Sequence, residues 1–149
     1  MAPPSRAQLK ARLQAYLATY PAIGTDVTAS ADLASFPAYE VQIYGLRTRR
    51  SGRRNVNTYS IRVFIYASVF PDATDTKKFF AAKVVAEDLI DPLAEFIADN
   101  PTLRLAGGTP EVLVASDEIV VTCAGVGDLY INKTQYMGFA LDFQVTIGQ

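Results

Sequence analysis

Two stretches in which apolar and polar positions alternate predict a long β-hairpin. The first arm runs from Tyr39 to Leu46 and the second from Thr58 to Val69. Both are rich in β-branched and aromatic residues, which is typical of strands with at least one buried face. The segment between them, Arg47 to Asn55, is too polar for a core and is centred on a Ser-Gly turn signal. The positions expected to face the core are Tyr39, Val41, Ile43, Tyr59, Ile61, Val63, Ile65 and Ala67.

Apolar residues at spacings of three and four predict a helix over residues 5–20, with Ser5 as its N-cap and Pro21 as its end. Its stripe consists of Leu9, Leu13, Tyr16, Leu17 and Tyr20. The connection that follows, residues 22–38, consists of small and polar residues without periodicity, and a short helical turn is expected at 29–34. Unstructured connections of that length often serve interactions, but its composition indicates no particular role.

A second, longer helix is predicted from Lys77 to about Asp99, with Asp75 or Thr76 as its N-cap. Pro92 lies inside the pattern, so we expect a kinked helix or one made of two pieces. The stripe consists of Phe79, Ala82, Ala86, Leu89, Leu93 and Ile97, and is expected to be widened by Phe80, Val84 and Val85. The acidic residues of this helix are expected to lie on a side that faces solvent or another subunit; they are Glu87, Asp88, Asp91, Glu95 and Asp99.

The last third of the chain predicts further strands. Residues 112–115 and 118–124 are interpreted as two short strands, and turns are expected at 125–128 and 132–133. Residues 137–147 alternate without a break, which predicts a strand suited to pair with the second hairpin arm. Hairpin-connected strands and segregated helices favour an α+β fold, in which both helices cover one face of a mainly antiparallel sheet.

Length and composition favour one domain over residues 1–149, since half of the residues are hydrophobic and 19% are charged. The single cysteine, Cys123, excludes an intrachain disulfide. The N-terminal residues have no apolar signal core, and no run approaches the roughly 18 apolar residues of a membrane span. We therefore expect a soluble intracellular product without a membrane partner.

Charge is distributed unevenly along the chain. Five of the nine arginines lie within eight residues at the hairpin tip, namely Arg47, Arg49, Arg50, Arg53 and Arg54. The net charge is −1, and without these five the rest of the chain holds nine basic against 15 acidic residues. This split suits a protein that repels a polyanion over most of its surface and meets it at one place. The alternative is that a solvated turn simply tolerates arginine.

Candidate catalytic chemistry is sparse. The chain has no histidine, which excludes His-dependent triads and histidine-ligated metals. Cys123 lies in an apolar segment and is interpreted as a small core residue. Gly107-Gly108 precedes Thr-Pro, so it lacks the context of a phosphate-binding loop. Asp117, Glu118 and Asp128 match no metal-site spacing. We expect no enzyme, no cofactor and no metal.

The order of these elements resembles that of the tail terminators of long-tailed bacteriophages, also called tail completion or head–tail joining proteins. The elements that carry the resemblance are the helix 5–20, the strand 39–46, the arm 58–69, the helix 75–99 and the closing strand with Phe139-Ala-Leu-Asp-Phe143. The resemblance implies a hexameric ring at the head-proximal end of the tail tube. Its implied partners are the tube protein, a neck or head-completion protein and, without sequence specificity, the DNA that passes through. Its implied location is the virion, and the host cytoplasm during assembly.

Within that class the arginine tip would face either the channel or a neighbouring subunit. A stopper or head-completion protein is the nearest alternative. A host nucleic-acid-binding module that uses the hairpin as an arm, and a carboxylate-metal nuclease around Asp117, are alternatives from other classes.

Overall fold

A six-stranded sheet with two helices on one of its faces makes up the described part of the chain. The computed structural model describes residues 6–20, 25–26, 36–52, 54–72, 74–99, 119–131 and 133–148. The strands are β1 (Thr25–Asp26), β2 (Ala38–Ser51), β3 (Arg54–Val69), β4 (Thr122–Cys123), β5 (Gly127–Ile131) and β6 (Thr134–Gly148). Their order is β1-β2-β3-β6-β4, and β5 also pairs with β6. Only the β1–β2 pair is parallel, so the expected α+β fold with a mainly antiparallel sheet is confirmed.

The three long strands form the centre of the sheet, and the expected pairing of the last strand with the second hairpin arm is confirmed. Val63 pairs with Val41 on one side and with Leu141 on the other. Because paired residues project to the same face, this register stacks the apolar positions of all three strands together. The core positions that they contribute are Tyr39, Val41, Tyr59, Ile61, Val63, Ile65, Phe139, Leu141, Phe143 and Val145.

Both helices cover this apolar face. The first, α1 (Arg6–Leu17), buries Leu9, Leu13, Tyr16 and Leu17, as the stripe predicts. The ring of Tyr16 stacks on that of Phe96 in the second helix, with centroids 4.6 Å apart. The hydroxyl of Tyr39 donates a hydrogen bond to the carbonyl of Gln14 at 3.1 Å, which ties α1 to β2. The predicted N-cap Ser5, the stop at Pro21 and the turn at 29–34 lie outside the described residues.

The second helix, α2, is continuous from Thr76 to Ala98, so the two-piece alternative is wrong. Asp75 is its N-cap, because its side chain accepts a hydrogen bond from the backbone N–H of Lys78 at 3.1 Å. Pro92 removes the donor that would bond the carbonyl of Asp88. Both residues are exposed, so water can satisfy that carbonyl and the helix can continue.

The expected width of the α2 stripe is wrong. Ala86, Leu93 and Ile97 are buried, whereas Phe80, Val84 and Val85 are 62%, 53% and 56% exposed. The reason is geometric, since a helix turns by about 100° per residue. Phe80 and Val84 then lie about 120° and 160° from Ala86 around the axis, too far to reach the sheet.

The C-terminal region also differs from expectation. Of the turn predicted at 125–128, Gly127 and Asp128 instead begin β5, which continues to Ile131 and pairs with β6, whereas Gly125, with φ 112°, lies outside any strand. Of residues 119–124, only Thr122 and Cys123 form a strand. Residues 112–115 and Asn132 lie outside the described residues, and Lys133 lies in the turn before β6.

A smaller apolar cluster lies on the opposite face of the sheet. Ala38, Tyr66 and Tyr136 are buried there, and Leu129 of β5 packs against them. Burial, together with the nearby carboxylate of Glu40, raises the pKa of Tyr66. The Tyr66 hydroxyl donates a hydrogen bond to Glu40 at 3.1 Å. Among the described residues, this face is therefore buried around Tyr66 and Tyr136 and exposed to solvent toward the hairpin tip.

Candidate functional site at the hairpin tip

The arginine-rich tip is a paired ladder and not a loop. β2 and β3 remain in register through Arg47–Thr58, Arg49–Val56 and Arg50–Asn55 as far as Ser51–Arg54. The strands therefore extend into the segment 47–55 that was expected to lie between them, while the turn expected at Ser-Gly is present at Gly52. Gly52 has φ 65°, in the left-handed region that a two-residue hairpin turn requires. A polar segment can therefore form a strand when both of its faces are exposed to solvent.

The tip extends beyond the rest of the sheet. The last pair between β3 and β6 is Val56–Gly148, so the rows Arg50–Asn55 and Ser51–Arg54 continue without a third described strand. Two rows of antiparallel strand span about 7 Å. The hydroxyl of Thr48 donates a hydrogen bond to the Asn57 side chain at 2.9 Å, which ties the two strands just before this extension.

A β-bulge between Ile43 and Gly45 determines which way each arginine points. After the bulge, Arg47 and Arg49 pair with Thr58 and Val56, which lie on the sheet face away from the helices. Arg50 pairs with Asn55 and lies on the helix side. Without the bulge these faces would be exchanged, because a shift of one residue moves every side chain to the other face.

The described tip side chains are exposed and differ in how they are held. Arg47, Arg49 and Arg50 are all exposed. The Arg50 Nε donates a hydrogen bond to the carbonyl of Gly52 at 3.2 Å, which folds this side chain over the turn. Arg53 lies outside the described residues, and for Arg54 only the backbone is described, opposite Ser51. The structure therefore brings Arg47 and Arg49 together on one face and separates Arg50 from them.

On the same face of the sheet as Arg47 and Arg49, Arg62 forms an ion pair with a neighbouring strand. Arg62 binds Asp142 through two bonds of 2.7 and 3.2 Å, and its guanidinium lies 4.9 Å from the ring centroid of Tyr44. The hydrogen bond to Asp142 raises the pKa of Arg62. A depression of about 380 Å³ lies beside this pair, between Tyr44 and the end of β4. The alternation in the sequence predicts strands here, but it does not show that Arg62 lies opposite Asp142. The cluster of Tyr44, Arg62 and Asp142 was therefore not predicted.

The hairpin tip and the outer side of α2 concentrate charge of opposite sign. The outer side of α2 carries the exposed acidic residues Glu87, Asp88, Asp91, Glu95 and Asp99, as predicted. Of these, Glu87 lies 3.9 Å from Lys83 on its own helix. The arginines of the tip belong to the β2–β3 hairpin alone. The outer side of α2 and the tip therefore offer surfaces of opposite sign.

The remaining candidates for chemistry are the carboxylates and Cys123. Within the described ranges, no three His, Cys, Asp or Glu side chains lie close enough together to hold a metal ion. Asp117 and Glu118 fall outside those ranges, whereas Asp128 is exposed on β5. Cys123 is half-buried and packs at the edge of the core. No helix in the described residues is long and apolar enough to cross a bilayer.

Comparison with known proteins adds no family to this picture. No known family model and no curated protein matches the chain. What the tip can do therefore follows from its own chemistry. A guanidinium group forms paired hydrogen bonds with a phosphate or with a carboxylate, and a rigid strand pair holds Arg47 and Arg49 at a fixed spacing. Both a nucleic-acid backbone and an acidic protein surface fit such an arrangement.

Proposed function

We propose that this protein is a structural ring component of a long-tailed bacteriophage, a tail terminator at the head-proximal end of the tail tube. In this role it ends tube polymerisation and joins the tail to a neck or head-completion protein, and it catalyses no reaction. It forms a homo-oligomer, of six copies by the resemblance of its element order. It resides in the virion, and in the host cytoplasm during assembly.

The basic hairpin tip carries this proposal. It is rigidly paired, extends about 7 Å past the third strand, and projects from a body whose remaining charge is negative. One such tip would bind DNA weakly, because two or three phosphate contacts supply little affinity at physiological salt. Several tips around one axis would create a positive collar without sequence preference. The order of helices and strands agrees with the element order that the resemblance rests on.

Mass and shape test the ring directly. A hexamer of the 16.2 kDa chain has a mass of about 97 kDa. We expect that mass in sedimentation or light scattering, and particles with a central hole in negative-stain microscopy. When the protein is added to polymerising tube protein from the same phage, the tubes should stop growing and bear a cap at one end. A chain that is monomeric and leaves tube length unchanged would refute the proposal.

The exposed pair Arg47 and Arg49 also supports a second candidate, a nucleic-acid-binding module that acts as a monomer. The discriminating experiment measures duplex DNA affinity against salt concentration for the wild type and for R47S/R49S. The control is K77S/K133S, which removes the same charge from two exposed positions away from the tip. A tightly binding monomer whose salt slope falls by about two in R47S/R49S, and not in the control, would favour this candidate.

For a ring protein, the isolated chain binds DNA weakly and the same double variant has a different effect. We expect R47S/R49S to form rings and cap tubes but to join heads or deliver DNA poorly. The control variant should behave as wild type in every assay. If R47S/R49S joins heads and infects normally, Arg47 and Arg49 have no role in the assembled particle.

A further inference from the structure

The outer side of α2 carries an apolar patch that the fold leaves uncovered among the described residues. We call Phe80, Ala81, Val84 and Val85 the α2 patch; all four are exposed. They occupy one and a half turns, so their side chains form a continuous surface. Phe80 also packs edge-on against Phe79, with ring centroids 5.7 Å apart, which fixes its position. Contiguous exposed apolar residues of this kind mark an interaction surface, whereas isolated ones do not.

The patch is followed by negative charge on the same line of the helix. Asp88 lies one turn after Val84, and Asp91 and Glu95 continue along the exposed side. A partner that covers the patch and extends past it toward Asp88 therefore needs positive charge beside its apolar surface. A wholly apolar partner would leave these carboxylates desolvated and unpaired.

The same chain offers such a surface at the other side of the helix layer. A groove of about 590 Å³ lies between α1 and the edge of β2, lined by Arg6, Ala7, Lys10, Gln42, Ile43 and Tyr44. Its lining is mostly apolar, with Arg6 and Lys10 at its rim. α1 contains three basic residues and no acidic one. Beyond Tyr39, no described strand pairs with this edge of β2.

We propose that copies of this chain bind head to tail, with the α2 patch of one copy in the α1–β2 groove of the next. Asp88 and its acidic neighbours then lie beside Arg6 and Lys10 of the adjoining copy. This inference rests on the proposed ring function and names its subunit contact. A second copy fits better than another occupant, because one chain supplies both the apolar patch with its acidic extension and the apolar groove with its basic rim.

The placement of the two surfaces determines the kind of assembly. α1 contacts β2, whereas α2 contacts β3 and β6, so the patch and the groove are separate on each copy. Each subunit can use both at once, which makes the contact heterologous. Heterologous contacts generate closed rings when their rotation closes and open filaments when it does not. An isologous dimer, in which two patches meet around a twofold axis, would instead use the patch of each copy and leave both grooves empty.

Cysteine cross-linking tests the contact in the full-length protein. In a C123S background, A7C/V84C places one thiol in the groove and one in the patch, both at exposed positions. With a short bis-maleimide we expect a ladder of covalent oligomers. V84C alone, and the matched control V84C/Y130C with its second thiol on the exposed Tyr130 position of β5, should give no species larger than a dimer. Melting curves confirm that each variant is folded.

Charge reversal gives an independent measurement. K10E and D88K should each weaken self-association about tenfold, and K10E/D88K should restore most of it, because the pair is then reversed and not lost. A ladder of equal yield in the V84C/Y130C control, dominant dimers with V84C alone, or no restoration in the double variant would each overturn the contact.

The outcomes separate this inference from the ring proposal. Rings seen by microscopy without the A7C–V84C ladder would leave the ring standing and remove this contact. A ladder from a protein that neither forms closed rings nor caps tubes would support the contact and count against a tail terminator.

Discussion

Replacing Gly138 by alanine should disrupt the pairing that holds the hairpin arm in place. Gly138 lies in β6, paired with Tyr66 of β3 on one side and Gly127 of β5 on the other. A Cβ built on Gly138 would overlap the carbonyl oxygen of Ile65 and would lie 3.0 Å from both the Ile65 carbonyl carbon and the Leu129 Cδ1. The nearest obstacle is backbone, which cannot rotate away.

The cost follows from what must move. Ordinary contact begins near 3.4 Å, so β6 or β3 must shift by several tenths of an ångström to more than 1 Å at the centre of the sheet. Overpacking of this kind costs about 1–3 kcal/mol. Each backbone hydrogen bond that lengthens beyond its range adds about 1 kcal/mol. We therefore expect G138A to lose about 3–5 kcal/mol, which for a chain of this size lowers Tm by about 10 °C or more.

The cross-strand partner provides the control. Nothing lies within 4 Å of a Cβ built on Gly127, and its φ is not in the left-handed region. G127A should therefore stay within about 0.5 kcal/mol of wild type or gain slightly, because alanine lowers the entropy of the unfolded chain. Urea and thermal unfolding by circular dichroism measure both variants. Equal stability of G138A and G127A would refute the described contact between β6 and Ile65.

Three further results are expected. R47S/R49S should melt within about 2 °C of wild type, because exposed substitutions change stability by at most about 0.5 kcal/mol; a large loss would show that these arginines are structural. Burial raises the pKa of Tyr66 above its ordinary value of 10.0, so the protonated hydroxyl stabilises the fold fully below pH 10, and this stabilisation is lost as the pH rises from there toward the folded-state pKa. Y66F should therefore lose less stability above pH 10 than the wild type does, as measured by denaturant titration at several pH values. A double-mutant cycle of R62A and D142A should give a coupling of about 0.5–1 kcal/mol, since the pair is bidentate but partly exposed; no coupling would mean that the bonds do not form in solution.

Much of the framework follows from periodicity, because a buried face leaves a strong trace in sequence. The stripe of α1, an N-cap at Asp75 or Thr76 and the long strand β6 were all predicted from spacing and residue type. The continuation of β2 and β3 through the arginine segment was not, since residues exposed on both faces show no alternation of apolar and polar. β5 was missed for a related reason: Gly127 and Asp128 carry turn signals, and pairing with β6 overrides them.

The exposure of the α2 patch marks another limit of reasoning from pattern. Phe80, Val84 and Val85 are apolar and adjacent to the stripe, so composition alone assigns them to the core. Helical geometry places them on the side of α2 away from the sheet. Their angles around the helix axis relative to Ala86 distinguish them from the buried stripe. Apolar residues that lie outside the core-facing arc of a helix indicate a second contact surface, and no described residue of this chain covers this one.

Pairing of the tip changes what the arginines can do in an assembly. A flexible loop would bring all five arginines to any acidic surface nearby, and their contacts would be interchangeable. A paired ladder instead sends Arg47 and Arg49 to one face and Arg50 to the other, with spacing fixed by the strands. In a ring, one face of each hairpin can then line the channel while the other meets the neighbouring copy. If the protein forms the proposed ring, one tip can therefore contact both DNA and a neighbouring subunit. R47S/R49S would then impair the DNA contact, and R50S would impair the subunit contact.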